Sequence, residues 1–549
     1  MSLKPNPITP VPEETVRVAR AAFPKGNVYM KMRDEFGVFF QDEDFTALFP
    51  RRGQPAKSPW RLALVMIMQY AENLTDRQAA DAVRSRIDWK YALGLKLTDP
   101  GFHFSILSEF RERLIEGEAE QLLLDLMLTQ FSELGLLKAR GRQRTDSSHV
   151  VAATRDLSRL ECAGEALRQV LERIATLEPE WLRAQVTPEW FDRYGARFEE
   201  YRLPRKSDER LALAELIGAD GIHLLSRIYH SSNAPDHLKQ ESVVETMRQI
   251  WIQLYYQEEG QTRWRQKGNL PKPAQTIASP YDLQARYATK RATKWTGYKV
   301  HLSETCNADG PHLITHVETT PATVQDISVV EDVHASLATK ELLPCEHLVD
   351  AGYVSSDVLA SSDDLYAIDL VGPVRPDTSW QAKAGQGFDI SHFTIDWDTE
   401  TVSCPQGKMN RTWIYGKGKH GKPDVQVAFD PADCGPCVER VLCTRSPNYR
   451  GRHITFQRQA EQTALQSARD RQKTEPFKQL YKARAAIEGT ISQAMNPKAM
   501  RRSRYRGLAK THLQHVATAA AINLSRTIAW LLGEPRASTR VSHFAALAT

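Results

Sequence analysis

The residue types best suited to chemistry are three acidic side chains, one of them near the C-terminal end of the chain. Arg484 and Glu488 follow Tyr481 by three and seven residues in a stretch with helical periodicity. This spacing predicts that the three residues share one face of a helix. Taken alone, Arg484 and Glu488 are best explained as an ordinary i,i+4 ion pair at a solvated edge. That interpretation changes because Asp146 and Asp350, far upstream, each end a strand-like run.

Two aspartates at strand ends and a glutamate on a packed helix can bind divalent metal ions. Ligands of α/β sheets collect at the carboxyl ends of strands, so we predict that Asp146, Asp350 and Glu488 converge there. Hard carboxylate oxygens favour Mg²⁺ or Mn²⁺, and two such ions about 3.5–4 Å apart can promote an in-line displacement at a phosphodiester. Because three close carboxylates repel one another, such a site is expected to be loose without metal.

Basic and aromatic residues near the acidic ones could contact a nucleic acid. Arg484 could neutralise a phosphate and Tyr481 could contact a displaced base or sugar, although both could equally be plain helix-surface residues. Cations also follow Glu488 in a dense run and stand among aromatics within 279–299, where a solvated loop is the alternative. The predicted DNA-contacting cations are Lys498, Arg501, Arg502, Arg504, Arg506, Arg291 and Lys294.

Four of the seven cysteines fall in one small region, residues 389–458. These four are Cys404, Cys434, Cys437 and Cys443. Four thiolates suffice for a tetrahedral structural Zn²⁺ site, but the first turn supplies a single cysteine, so a knob without metal or one that uses His453 stays open. Either way the unit is expected to be structural. The other three cysteines lack metal spacing and are expected to be small buried hydrophobes: Cys162, Cys306 and Cys345.

The patterns around these residues predict an α/β fold with several units. A basic strand leads to Asp146 within 136–153, and further strands are predicted at 297–302, 313–319, 347–353 and 367–371. A helix at 475–495 carries Glu488. The predicted units are a leader (1–44), an N-terminal helical domain (45–135), a first core strand (136–156), an all-helical insertion (157–275), the continued core (276–388), the cysteine knob (389–458), the closing core helices (459–535) and a tail (536–549).

The helical domain at 45–135 could read DNA. Its short helices, tight turns and several arginines suit a helix-turn-helix-like reader, although a plain helical bundle with a basic face fits the same pattern.

Composition sets the outer limits. The 549 residues are 41% hydrophobic and 25% charged, and 72 basic against 67 acidic residues give a formal charge of +5, which permits a DNA partner without demanding one. The sequence shows no secretory signal, and its longest apolar run is too short to span a bilayer. Seven unevenly spaced cysteines favour a reducing compartment. We therefore expect a cytoplasmic protein that does not associate with a membrane.

Several motifs together resemble the bacterial insertion-sequence transposases of the DDE superfamily, in the long branch with an N-terminal helical domain and a late cysteine knob. The resemblance covers about 45–530. The motifs are DRQAADAVRSRIDWKYALGL with DPGFHFSILSEFRERL, RTDSSHV, SPYD with GYKVHLSETC, LVDAGYVSSDVL, CPQGK with CGPC, and RAAIEGTISQAM with RSRYRGLAK.

The resemblance implies that Asp146, Asp350 and Glu488 are the catalytic, metal-binding triad on a ribonuclease-H-like core, a mixed sheet flanked by helices. Tyr481 and Arg484 match the tyrosine and arginine of the family's glutamate-helix signature, but Met495 stands where that signature has a lysine. It also implies two Mg²⁺ or Mn²⁺ ions, binding of terminal inverted repeats and target DNA, strand cleavage and transfer, and a homodimer or higher multimer on double-stranded DNA.

Two other functions remain open. One is a metal-dependent nuclease that cuts without strand transfer, and the other is an inactive descendant that only binds DNA. The presence of all three acidic residues speaks against the inactive descendant. A general nuclease has less need for a separate helical reader and a long insertion.

Overall fold

The structure, a computed structural model, describes residues 2–418, 421–445 and 451–535 together with positions 544 and 547. Apart from those two positions, the predicted tail at 536–549 lies outside the described residues. Within the described part, no helix has the length and apolar character needed to cross a bilayer.

Seven helices precede the sheet, and the first two lie in the segment predicted to be a leader. They are α1 (Glu13–Ala22), α2 (Val28–Phe36), α3 (Pro59–Ala71), α4 (Asp76–Ser85), α5 (Ile87–Ala92), α6 (Ser105–Glu116) and α7 (Leu122–Glu133). Tyr29, Met32 and Phe36 of α2 are buried in the same core as α3 and α7. The helical unit therefore begins near Glu13, not at residue 45.

The insertion follows the first strand, β1 (Arg142–Val151), and it is not all-helical as predicted. Its helices are α8 (Arg159–Leu177), α9 (Pro179–Arg183), α10 (Pro188–Tyr194), α11 (Ser207–His230) and α12 (Ser242–Leu254). A β-hairpin of β2 (Tyr255–Glu258) and β3 (Gln261–Trp264) ends it. The turn residues Glu259 and Gly260 both have positive φ (50° and 78°), which suits a tight two-residue hairpin turn.

A curled mixed sheet of six strands, flanked by helices, forms the centre of the molecule, as the sequence predicts. The remaining elements of this region are β4 (Arg286–Lys290), β5 (Thr293–Thr305), β6 (Ile314–Pro321), α13 (Val330–Thr339), β7 (Glu346–Val349), α14 (Ser356–Tyr366) and β8 (Asp369–Val371). The strand order is β4-β5-β1-β7-β8, and β6 also pairs with β5. β1 is antiparallel to β5 and parallel to β7, so it lies where the sheet changes direction.

The cysteine-containing unit is a small β structure inserted after the sheet. Its elements, with the helix before it, are α15 (Trp380–Ala384), β9 (Thr394–Asp396), β10 (Thr401–Ser403), β11 (Asn410–Lys417), β12 (Pro423–Phe429), α16 (Pro431–Cys434), α17 (Arg440–Cys443) and β13 (His453–Phe456). It has its own apolar core around Val425, Val427 and Phe429.

Four closing helices return the chain to the sheet: α18 (Gln459–Arg471), α19 (Glu475–Ala485), α20 (Ile487–Met495) and α21 (Leu508–Leu531). The last is almost wholly buried and packs between the N-terminal helices and β6. One apolar core thus joins the first helices, the sheet and the final helix.

Candidate active site

The pairing of β1 with β7 brings the two predicted aspartates side by side. Thr145 is opposite Val349 in the last parallel pair, so Asp146 and Asp350 are the next residues on adjacent strands. The sequence predicts that Asp146 ends its strand, and this prediction is wrong. β1 continues to Val151 because it pairs with β5 along that length. Asp146 is instead the first residue of β1 beyond the end of its shorter parallel neighbour.

Glu488 comes from a helix that is broken where the sequence predicts a continuous one. α19 ends at Ala485, and α20 starts at Ile487, which is fully buried. Glu488 lies in the first turn of α20, and its side chain is 71% exposed. The single residue between the two helices, Ala486, keeps near-helical backbone angles (φ −69°, ψ −13°), so Arg484 and Glu488 still form an i,i+4 pair across the break.

The guanidinium group of Arg484 contacts all three acidic side chains. Its Nη2 atom lies 2.6 Å from Oδ2 of Asp146 and 4.0 Å from Oδ2 of Asp350, and its Nη1 atom lies 3.5 Å from Oε1 of Glu488. The structure therefore brings together the three residues that the sequence singled out, and it places a cation among them. Because one positive charge faces three carboxylates, the cluster stays net negative.

The three carboxylates differ in their surroundings. Burial raises the pKa of Asp146, although Arg484 and the backbone N–H of Ser147 oppose that shift. The side chain of Asp146 is 14% exposed and that of Asp350 is 46% exposed. Asp350 also accepts a hydrogen bond from the N–H of Ala351 at 2.7 Å. The buried aspartate is thus the fixed member of the cluster, and Glu488 is the solvent-facing one.

Two residues that the sequence analysis did not single out support the loop after β7. Tyr353, three residues after Asp350, is fully buried, and its hydroxyl lies 2.7 Å from Nδ1 of His301 on β5. Burial lowers the pKa of His301 to about 4, so its ring is neutral at pH 7. The position of Tyr353 in the AGY sequence after Asp350 is the signal that could have revealed it.

The donor chemistry of the cluster fits a divalent cation. Its ligating atoms are hard carboxylate oxygens, which Mg²⁺ and Mn²⁺ prefer. Their common neighbour is already a cation, and its Nε atom is buried with no hydrogen-bond partner among the described residues. In the ranges 2–418, 421–445 and 451–535, however, no three His, Cys, Asp or Glu side chains are grouped tightly enough to hold a metal ion.

Three of the predicted DNA-contacting cations are engaged within the protein. Lys498 donates to the carbonyl of Ala71, and burial lowers its pKa. Arg501 donates to the carbonyl of His149 at 2.6 Å, and Arg504 donates to that of Leu74 at 2.6 Å. These contacts tie the basic stretch to β1 and to the end of α3.

The other predicted cations are exposed. Arg502 lies beside the end of β1, Arg506 lies over the ring of Tyr281, and Arg291 and Lys294 lie at the tip of the β4–β5 hairpin. Lys290, in the same hairpin, is close enough to lower the pKa of Asp146. The β4–β5 hairpin thus lies near the acidic cluster, whereas Arg502 lies beside the far end of β1 from Asp146.

Tyr481 packs on the protein. Its half-buried ring stacks on Phe477, with ring centroids 5.5 Å apart, and it contacts the core that includes Leu348 and Val371. Nearby Arg484 and Asp350 both influence its pKa, which burial raises. Tyr481 therefore borders the acidic cluster.

The arginines of the N-terminal helices are also partly used inside the protein. Arg111 is buried and forms an ion pair with Asp76. Arg86 pairs with Glu72 and with Asp88, the latter at 2.6 Å. The basic face predicted for these helices is therefore smaller than the sequence suggests.

The four cysteines of the small unit line one cavity of about 40 Å³. All seven cysteines of the chain are free thiols. The N–H of Lys408 donates to Sγ of Cys404 at 3.4 Å, and burial together with the three neighbouring thiols raises the pKa of Cys443. Outside this unit, Cys162 and Cys306 are buried as predicted, but Cys345, which immediately precedes β7, is exposed.

Two family models match separate parts of the chain. The one described as Transposase DDE domain matches residues 403–528, and the one described as Transposase domain (DUF772) matches residues 17–113. The first range contains the four cysteines of the small unit and Glu488 but neither Asp146 nor Asp350. No curated protein and no solved structure matches the chain.

The matched ranges agree with the motifs at both ends of the sequence. DDE transposases act on DNA and generally use divalent metal ions. The predicted resemblance to the DDE transposases of bacterial insertion sequences is thus confirmed by the two transposase family models.

Proposed function

We propose that this transposase binds the terminal inverted repeats of its own element and cleaves and transfers DNA strands with Asp146, Asp350 and Glu488 as its metal-binding residues. The observation that carries the proposal is the contact of all three carboxylates with the guanidinium group of Arg484. Residues more than 340 positions apart meet at one end of the parallel strand pair. A core of ribonuclease-H-like type is part of the proposal, supported by the mixed sheet and its flanking helices.

The three acidic residues would have different roles as metal ligands, according to how deeply each one is buried. Bound Mg²⁺ or Mn²⁺, two ions in this proposal, would activate the attacking oxygen and stabilise the leaving oxygen of a phosphodiester. Asp146 would be the rigid ligand, because strands pair with β1 on both sides and its side chain is only 14% exposed. Glu488 is mostly exposed and can turn without disturbing the core. Arg484, released from the carboxylates, would face a DNA phosphate beside them.

The exposed cations define the proposed DNA surface. Arg291, Lys294, Arg502 and Arg506 are exposed and would meet phosphates of element ends or target DNA. Tyr481 would contact a displaced base or sugar at the rim of the site. Lys498, Arg501 and Arg504 would instead fold the stretch that presents Arg502 and Arg506.

The acting form is proposed to be a homodimer or higher multimer on double-stranded DNA. Each chain has one acidic cluster, whereas an element has two ends to be cut and joined. Work on element DNA would place the protein at the nucleoid.

A strand-transfer assay with labelled element-end DNA and a target plasmid tests the proposal. With Mg²⁺, the transposase should cut at the element end and join the freed 3′ end to the plasmid. Cutting without joining would favour the nuclease. Specific end binding without any cutting in either Mg²⁺ or Mn²⁺ would favour the inactive descendant.

We further propose that Cys404, Cys434, Cys437 and Cys443 bind a structural Zn²⁺. The support is their shared small cavity and the N–H···S hydrogen bond at Cys404. Elemental analysis of purified protein should give one zinc per chain, and Cys437→Ser should lose it. The matched control is Cys345→Ser, an exposed cysteine elsewhere, which should keep it. Zinc-free wild-type protein that melts at the same temperature after zinc addition would contradict the proposal.

A further inference from the structure

A buried carboxylate beside the acidic cluster has three hydrogen-bonding partners from three elements. Glu304 on β5 is fully buried. Its Oε1 accepts from Nε of Arg144 at 2.7 Å, and its Oε2 accepts from Nη1 of Arg526 at 2.7 Å and from the hydroxyl of Thr490 at 2.6 Å. Two arginines and one hydroxyl therefore converge on a single carboxylate without solvent.

The partners of Glu304 hold both sides of the helix break before Glu488. Arg144, two residues before Asp146 on β1, also donates to the carbonyl of Ala483 in the last turn of α19. Arg526 of α21 also donates to Thr490 and to Gln493 of α20, at 2.7 and 3.0 Å. The strand that carries Asp146 is thus connected to α19 and α20 through polar contacts.

Stability alone is a weak reason for such a network. Removing charges from water is costly, and buried ion pairs often add little net stability compared with apolar residues of similar size. The apolar packing of α19 is limited, since it buries only Phe477 among its described residues, whereas α20 also buries Ile487, Ala494 and Met495. The polar contacts add a direct link from β1 to α19 and from α21 to α20.

We propose that Arg144, Glu304, Thr490 and Arg526 form a positioning network that sets the placement of Glu488 relative to Asp146 and Asp350. The inference rests on the proposed metal-dependent function. None of the four touches the reacting groups in this proposal. They act by fixing the angle between α19 and α20.

The hydroxyl of Thr490 is the best group to remove in a test of the network. Replacing Glu304 would leave two arginines without their buried counter-charge and would threaten folding. Thr490→Val keeps the volume but removes both hydrogen bonds, whereas Thr490→Ser keeps the hydroxyl. A matched control is Thr518→Val, because Thr518 is equally buried but its hydroxyl donates to Gln514 of its own helix.

Three measurements follow for each variant: Mn²⁺ affinity by electron paramagnetic resonance, single-turnover cleavage of end DNA, and DNA affinity. Because misplacement by about 1 Å can cost about 100-fold in rate, Thr490→Val should lose at least about tenfold in cleavage and in Mn²⁺ affinity. Its DNA affinity should stay unchanged. Thr490→Ser and Thr518→Val should stay within about twofold of wild type, since both leave the network connected.

Hydrogen exchange of 487–495 supplies a readout without metal or DNA. Thr490→Val should accelerate exchange there, and Thr518→Val should not. Equal exchange in the two variants, or cleavage loss in Thr490→Val that merely follows its unfolded fraction, would overturn the network. Wild-type protein that binds Mn²⁺ but does not cut DNA would refute the proposed function, while the network would still be judged by Mn²⁺ affinity and exchange.

Discussion

At the scale of single residues, Arg484 places a positive charge among three carboxylates. Three carboxylates in proximity repel one another, and the sequence alone suggests a loose site without metal. The guanidinium group instead lies 2.6 Å from Asp146 and within reach of Asp350 and Glu488. The protein thus supplies its own cation to the cluster, and a divalent ion would have to compete with it.

Removing that cation should destabilise the metal-free protein and increase its response to metal. Arg484→Gln leaves Asp146 buried without its ion-pair partner, which should cost about 2–4 kcal/mol of unfolding free energy. Added Mn²⁺ should raise the melting temperature of this variant more than that of wild type, because the ion replaces the lost charge. Thermal melts with EDTA and with Mn²⁺ measure both effects.

The control for Arg484→Gln is Arg183→Gln, which breaks an exposed pair with Glu180. That change should cost less than about 1 kcal/mol and should leave the response to Mn²⁺ unaltered. An Arg484→Gln protein as stable as wild type in EDTA would show that the guanidinium does not hold the carboxylates together.

At the scale of elements, the close pairing of β1 with β5 positions the strand that carries Asp146. Gly297 of β5 pairs with Val151 and has a φ of 154°. A Cβ atom there would lie 2.2 Å from the carbonyl oxygen of Val150 and 2.7 Å from the nitrogen of Ala152. The absence of a side chain therefore allows the end of β1 to approach β5 closely.

Gly297→Ala should accordingly destabilise the sheet by about 3 kcal/mol, since the added atom meets backbone that cannot move aside easily. Gly268→Ala is the matched control, because its added Cβ would have no neighbour within 4 Å. Urea unfolding of the two variants measures the difference. Equal midpoints would contradict the close approach of the two strands.

Periodicity in the sequence predicts the elements of this region but not how they align. The strands at 297–302, 313–319 and 367–371 all lie within or overlap observed strands, because alternating or apolar runs between turn residues are a local signal. The register that sets Asp146 beside Asp350 depends on pairing between distant strands, which local patterns do not carry. The helix break at Ala486 also has no glycine or proline to mark it.

The buried polar network was equally hidden. Arg144, Glu304 and Arg526 look like ordinary charged residues in the sequence, and only tertiary packing reveals that they share one buried site. The meeting of the three acidic residues was predicted from the sequence, although Asp146 lies within β1 and Glu488 follows a break in the predicted helix.

At the scale of the whole molecule, the N-terminal helices and the sheet share one core. The hydroxyls of Tyr70 on α3 and Tyr505 before α21 lie 3.0 Å apart, and Arg504 lies over the ring of Tyr70. The parts matched at 17–113 and 403–528 are therefore packed against each other. The N-terminal helices are therefore part of the same core as the sheet and do not form a separate domain.

That shared core contains neutral histidines, which should make the fold sensitive to acid. Burial lowers the pKa of His515 to about 3 and those of His301, His334 and His512 to about 4, from 6.5. Between the pKa in the folded protein and 6.5, the unfolded chain binds more protons than the folded chain. The free energy of unfolding should therefore decrease, for each histidine, by about 1.4 kcal/mol for every unit by which the pH is lowered. Urea unfolding from pH 7 to pH 4 measures the slope.

The slope can be assigned with one variant. His515→Gln removes a titrating group and should reduce the loss of stability on acidification by the share of one histidine, about 1.4 kcal/mol per pH unit. An unchanged slope would show that His515 does not stay neutral in the folded protein.

The most direct test of the central claim measures metal-dependent cleavage and DNA binding in the same variants. Asp146→Asn, Asp350→Asn and Glu488→Gln should each reduce Mn²⁺-dependent cleavage of element-end DNA by about 1,000-fold or more, because the carboxylates act as a unit. Affinity for that DNA should stay within about threefold of wild type, because the basic contacts remain. Asp364→Asn, an exposed carboxylate on α14, is the control and should cleave normally. Wild-type cleavage by any of the three triad variants would contradict the account.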